Sequence, residues 1–193
     1  MSMSKHLAGS AIAQGPNVGR IDSSEWNPTR CKCRWLLLSG ASNPPFSVKR
    51  KTRDCHGDRG GTFLSGVARD LANMEAAVEA ELFNTVKDLY LTRDQALKHI
   101  RRFYETCRRQ RAKPVLCYSG HGEKGTGNWC FEDGKISIKT ILDELPEGTN
   151  HPMIFSDTCY SGHWANFCLE KKIAGFYCLA ACPEYSKAID GGL

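Results

Sequence analysis

Pro114-Val115-Leu116-Cys117-Tyr118-Ser119-Gly120-His121-Gly122 begins as a continuous apolar run and ends in a turn built on two glycines. A short run of this kind, closed by turn residues, reads as a strand with both faces buried, the situation of a strand inside a parallel sheet. At its carboxyl end it delivers an imidazole. Further along, Pro152 to Ser156 has the same form and runs into Asp157-Thr158-Cys159-Tyr160-Ser161-Gly162, so a second strand end delivers a thiol. The spacing predicts a helix after it, with Cys159 just before the helix.

The flanking sequence supplies the rest of the sheet and its covering. Trp35-Leu36-Leu37-Leu38, closed by Ser39-Gly40, is another buried strand. Val67, Leu71, Met74, Val78 and Leu82 fall three or four apart and line one face of a helix opening near Gly66. Val86 to Leu91 alternates as a strand does. Thr92 followed by Gln95 has the spacing of a capping box, and Leu97, Ile100, Tyr104 and Cys107 give the next helix an apolar face. Ile138, Ile141, Leu142 and Leu145 form a short helical pattern, and Gly175 to Ala181 reads as a further strand. Asn43 to Gly61, with Pro44-Pro45 and several glycines, reads as a loop. Residues 1–33, rich in Ser, Gly, Ala and Asn without periodicity, form a flexible amino-terminal arm, leaving one folded domain over 34–193. Strand and helix alternate throughout, which predicts an α/β fold: a three-layer α/β/α sandwich with a mostly parallel sheet and right-handed crossovers. In such sheets function gathers at the carboxyl ends of the strands.

A chain of 193 residues can bury one substantial core. No apolar run is long enough to cross a bilayer, and the first fifteen residues make a poor secretory signal, so the expected compartment is the cytoplasm. Several of the ten cysteines sit inside apolar segments, Cys117, Cys168 and Cys178 among them, and read as reduced core thiols rather than a disulfide framework. The net charge of +5 owes much to Lys49-Arg50-Lys51 with Arg53, and to the cluster Arg101-Arg102, Arg108-Arg109 and Arg111. These read as solvated surface before they read as a nucleic-acid footprint.

A lone Cys after a strand is usually structural, and a lone loop His usually does nothing. Their occurrence together on two strand ends of one sheet, each beside glycine, points to chemistry. A helix amino terminus and a neighbouring imidazolium both favour the thiolate. Cys159 would attack a peptide carbonyl, the backbone amides of Gly122 and Cys159 would hold the oxyanion, and His121 would protonate the leaving amine and then activate water.

Tyr118-Ser119-Gly120-His121-Gly122 and Asp157-Thr158-Cys159-Tyr160-Ser161-Gly162 resemble the His and Cys motifs of metacaspases, and less closely those of caspases, whose Gln-Ala-Cys is absent. The resemblance runs from about Arg34 to Ala188 and takes in Gly66 through Asp70, which looks like the metacaspase helix opening. It implies a caspase-like fold and a Cys-His endopeptidase. It further implies that Asp70 and Asp157 line an acidic pocket for a basic residue before the scissile bond, so that cleavage follows Arg or Lys. Taken alone, Asp70 could equally cap its helix and Asp157 accept backbone amides. Arg69 departs from the family's usual Asn, and Arg59-Gly60-Gly61 resembles the Arg-x-Gly of caspases, which suit acidic substrates.

The resemblance also implies self-cleavage after basic residues, for which Lys171 and Lys172 are the candidates, and calcium as an activator, although the chemistry itself requires no cofactor. Glu123, Glu132 and Asp133 lack the spacing of a self-contained calcium loop. Cys31, Cys33, Cys55 and His56 fit no compact zinc pattern, so no metal ligands are assigned. Family members usually continue into a smaller carboxyl-terminal segment, and the resemblance implies a domain without that part, its open sheet edge met by a second copy or a partner chain. Three functions follow in order: an endopeptidase acting on protein and peptide substrates, a non-catalytic caspase-like module regulating proteolysis or cell death, and a binder of nucleic acid or acidic surfaces through Arg101 to Lys113.

Overall fold

The computed structural model describes residues 33–40, 64, 66–79, 84–131, 133–149, 151–173 and 175–188. The predicted arm, the 43–61 loop, Leu82, Arg59-Gly60-Gly61 and the Cys31, Cys55 and His56 group lie outside them. The apolar runs form β1 (Cys33–Gly40), β3 (Lys113–Gly120) and β6 (Met153–Thr158), joined by β2 (Asn84–Leu91) and β7 (Tyr177–Ala180). Among the described residues these make one five-stranded sheet in the order β2-β1-β3-β6-β7, with every pairing parallel. The helices are α1 (Val67–Glu79), α2 (Arg93–Gln110), α3 (Ile138–Asp143) and α4 (Gly162–Glu170).

Handedness decides which face each helix covers. The chain passes from β1 to β2 in one direction across the sheet and from β2 to β3, β6 and β7 in the other. Right-handed crossovers therefore send α1 to one face and α2 and α4 to the opposite one. The two cores follow. Leu36, Leu38, Leu116, Tyr118 and Ile154 pack with Ile100 and Tyr104 of α2, Ile141 of α3 and Trp164 of α4. On the reverse face Leu37, Val115 and Cys117 pack with Val67 and Leu71 of α1. The fold is thus the expected three-layer α/β sandwich.

Local chemistry sets the element boundaries. Thr92 and Gln95 close the capping box that starts α2, each side chain accepting the other's backbone N–H. Ser137 caps α3 in the same manner, its hydroxyl accepting from the Thr140 amide. One further feature lies outside the predicted elements: a small antiparallel hairpin of β4 (Trp129–Phe131) and β5 (Gly134–Ile136) follows the β3 turn. All three β4 residues are buried, so no alternation marks them as a strand.

Candidate active site

β1 and β3 are neighbours whose onward connections leave in opposite directions, which opens a crevice beyond their carboxyl ends. β3 and β6 lie side by side in register, Ser119 opposite Asp157 and Gly120 opposite Thr158. The residues that follow, His121 and Cys159, therefore leave adjacent strand ends. Both are partly exposed at this edge.

Backbone contact between the two turns is close. A Cβ built on Gly122 would overlap the Cys159 carbonyl oxygen and stand 2.7 Å from Thr158 Oγ1. Only glycine lets the His121 turn lie against the Cys159 turn. Gly122→Ala is expected to force them apart, at about 1–3 kcal/mol of stability. Thermal melting would check this, at about 2–4 °C per kcal/mol for a chain of this size.

The hairpin fixes the His121 turn. The Cys130 amide donates to the His121 carbonyl at 3.0 Å, and the Glu123 amide to the Asn128 carbonyl at 2.9 Å. These bonds flank the bridge between Gly122 and Trp129. Gly122 occupies the non-hydrogen-bonded position of that antiparallel ladder, so its own N–H points away from the hairpin. Beneath it, the Tyr118 hydroxyl donates to the Cys130 carbonyl at 2.7 Å.

Beyond β6 the chain does not pass directly into a helix. The expected helix follows: α4 begins at Gly162, with Tyr160 and Ser161 between it and Cys159. The turn is tighter than the sequence implied because Tyr160 adopts a left-handed conformation, φ 59°, which costs a non-glycine residue about 1–3 kcal/mol. The Tyr160 amide donates to the Ser186 carbonyl at 2.8 Å. Ser161 is wholly buried and, although it precedes α4, makes no side-chain cap. Its hydroxyl instead accepts from the Cys182 amide at 3.2 Å. Asn166 of α4 donates to Glu184 at 2.6 Å. Residues 182–186 thus form a strap across the Cys159 turn that periodicity could not have found, since it joins backbone and side-chain groups far apart in sequence.

The two carboxylates lie on the α1 face. Alternation along β6 turns Met153, Phe155 and Asp157 to that face and buries Ile154, Ser156 and Thr158 on the other. Asp157 accepts from the Ser119 hydroxyl at 2.8 Å. Asp70, in the first turn of α1, is 2% exposed, while its neighbour Arg69 is exposed. Both acids therefore sit on one side of the sheet, with α1 starting over it.

Cys107 and Cys117 differ from Cys159 in setting, being buried in the core. Burial pushes the Cys107 thiol up to about 11 and the Cys117 thiol well above its ordinary value. Of the basic cluster, Arg101 forms a two-bonded pair with Glu144 at 2.7 and 2.6 Å, and Arg108 meets Glu105 at 3.1 Å. Lys171 and Lys172 are exposed at the end of α4. Among the described residues no group of three or more His, Cys, Asp or Glu side chains could hold a metal ion. Of the acids considered for calcium, Glu123 pairs with Lys135, and Asp133 accepts from the Arg93 amide. The described residues do not fit a calcium site.

A family model described as Caspase domain, of peptidase family C14, matches residues 56–186, about two thirds of the chain, and spans both turns. No curated protein matches the sequence.

Proposed function

The chain belongs to the caspase-domain family, and we propose that it is a cysteine endopeptidase with Cys159 as nucleophile and His121 as proton carrier. The contact that admits only glycine at 122 against the Cys159 carbonyl supports this reading above all. It lays the imidazole turn directly against the thiol turn at a sheet edge where substrate can enter.

In the proposed cycle the Cys159 thiolate attacks the peptide carbonyl carbon, and the carbonyl oxygen takes the negative charge. The Gly122 and Cys159 amides stabilise that charge. As the tetrahedral intermediate collapses, the C–N bond breaks and His121 gives its proton to the leaving amine, leaving a thioester on Cys159. His121 then takes a proton from water, hydroxide adds to the thioester, and the acid product leaves with the thiolate restored. No step runs through calcium.

Asp70 and Asp157, two carboxylates on one face of the sheet beside the nucleophile's strand, favour a cationic side chain before the scissile bond, by charge complementarity. This supports a preference nearer to that of metacaspases than to that of caspases. Matched fluorogenic peptides ending in Arg, Lys or Asp, assayed with and without calcium, test the proposal. Cleavage after Arg and Lys is expected. Cleavage after Asp alone would overturn the pocket assignment, and silence on every peptide would favour the non-catalytic regulatory module. Asp157→Asn is expected to lower kcat/KM on the Arg and Lys peptides by about ten- to a hundredfold, since a hydrogen bond to a charged group contributes about 1.5–3 kcal/mol.

A further inference from the structure

The β6–α4–β7 crossover brings two thiols together. Cys168 follows the fully buried Trp164 by four positions, so α4 turns both toward the sheet. Cys178 stands opposite Ile154 in the parallel register of β7 and β6, and side chains at paired positions share a face. Ile154 belongs to the core beneath α4, so Cys178 faces that helix too. Cys168 and Cys178 both pack against this core, and their side chains hydrogen-bond to each other. Each is partly exposed, which leaves the pair open to a small reagent.

The two thiols are unequal. The hydrogen bond with Cys178 lowers the Cys168 thiol below its ordinary value, which raises its share of thiolate. The same bond, together with burial, holds Cys178 protonated. Cys168 is therefore the attacking sulfur and Cys178 the one that follows. A disulfide requires two side chains aimed at each other, and a thiol–thiol hydrogen bond meets that requirement. The pair also stands apart from the strand ends. Ile154 precedes Thr158 by four residues, so Cys178 lies about 13 Å back along the sheet from the Cys159 turn.

We propose that Cys168 and Cys178 form a reversible dithiol–disulfide site that reacts with low-molecular-weight disulfides and, once closed, locks α4 to β7. The Cys168 thiolate attacks one sulfur of the reagent, whose other sulfur leaves as a thiolate, and a mixed disulfide forms on Cys168. Cys178 then gives its proton to the released thiolate and attacks the Cys168 sulfur, expelling the second thiolate, which takes up the proton Cys168 had lost. The two protein thiols are oxidised by two electrons, and the reagent is reduced to two thiols. Cys168 and Cys178 are ten positions apart, and closing a loop of that length raises the melting temperature by about 5–10 °C. The lock joins the helix after the nucleophile's turn to the strand that runs into the strap. It is independent of the endopeptidase reading, because closure is read on the chain itself and not through cleavage.

The test incubates the full chain in glutathione buffers from fully reduced to fully oxidised, caps the free thiols, and maps the disulfides by mass spectrometry beside thermal melts. A Cys168–Cys178 bond that forms as the buffer becomes oxidising, opens again with dithiothreitol, and raises the melting temperature is the expected result. Cys178→Ser, which removes the second sulfur, is expected to trap one glutathione on Cys168, and neither C178S nor C168S shows the rise. A map in which Cys168 and Cys178 stay unpaired at every ratio, or in which glutathione settles on other cysteines alone, overturns the proposal. So does a closed bond with an unchanged melt. Should either variant not fold, the wild-type map and melt decide alone. A chain that closes the bond but cleaves no peptide fails the endopeptidase reading and keeps this one.

Discussion

Cys159→Ala is expected to lower peptide hydrolysis by at least about 10⁴-fold, in line with removal of the nucleophile from a catalytic unit that acts in concert. Among the described residues, three of the other thiols are buried. Cys107 and Cys117 are buried core thiols whose surroundings hold them protonated, and Cys130 is buried within β4 of the hairpin. The Cys182 sulfur is engaged with the Thr158 and Ser186 carbonyls. Stability should hardly change, because Cys159 is only half-buried at the end of a strand and alanine is compatible with its backbone. Surface changes of this kind stay within about 0.5 kcal/mol. Initial rates on an Arg peptide, paired with thermal melts of both chains, check the two halves together. Residual activity above about one per cent would place the nucleophile elsewhere, whereas a collapsed melt would mean that Cys159 had a structural duty.

The largest effect on stability is expected at Trp129. Its ring stacks on Tyr118 at 4.6 Å and on Trp164 at 4.4 Å, so one aromatic pile joins β3, the hairpin and α4. All three rings are fully buried. The indole N–H donates to Ser156 on β6 at 2.9 Å. Trp129→Ala removes the middle of the pile, and a buried Trp cut to Ala costs about 3–5 kcal/mol from lost burial and the cavity left behind. Lost stacking adds about 0.5–1.5 kcal/mol for each ring pair. At about 2–4 °C per kcal/mol the melting temperature should drop by roughly ten degrees or more. Denaturant unfolding of wild type, Trp129→Ala and Trp129→Phe would check it, with Phe expected to recover much of the loss by keeping a ring in the stack. A Trp129→Ala loss below about 1 kcal/mol would show that the pile does not bear on stability.

The sheet was legible because its central strands are buried on both faces, and burial on both faces leaves continuous apolar runs such as Leu36-Leu37-Leu38 and Val115-Leu116-Cys117. α2 was legible at its start because the capping box is local chemistry between Thr92 and Gln95. His121 and Cys159 stood out because strand ends in a parallel sheet are where side chains can act. The hairpin was missed because Trp129-Cys130-Phe131 is too short for periodicity to register, although Asp133-Gly134 is a turn signal that could have drawn attention to it. The strap was missed for a different reason. The Ser161 hydroxyl and the Cys182 thiol meet backbone groups far from them along the chain, and Ser186 acts through its carbonyl; nothing in the identity of a residue announces a partner of that kind.

The bond from Tyr160 to Ser186 also says something about time. A polypeptide is made from its amino end, and domains fold as their residues become available. The strands that carry His121 and Cys159 are complete well before residues 182–186 have been joined to the chain. Until those residues are added, the bond from the Tyr160 amide to the Ser186 carbonyl is missing, and with it one of the contacts that hold Tyr160 in its disfavoured conformation. The left-handed turn after Cys159 therefore gains this backbone support only once residues 182–186 have joined the chain.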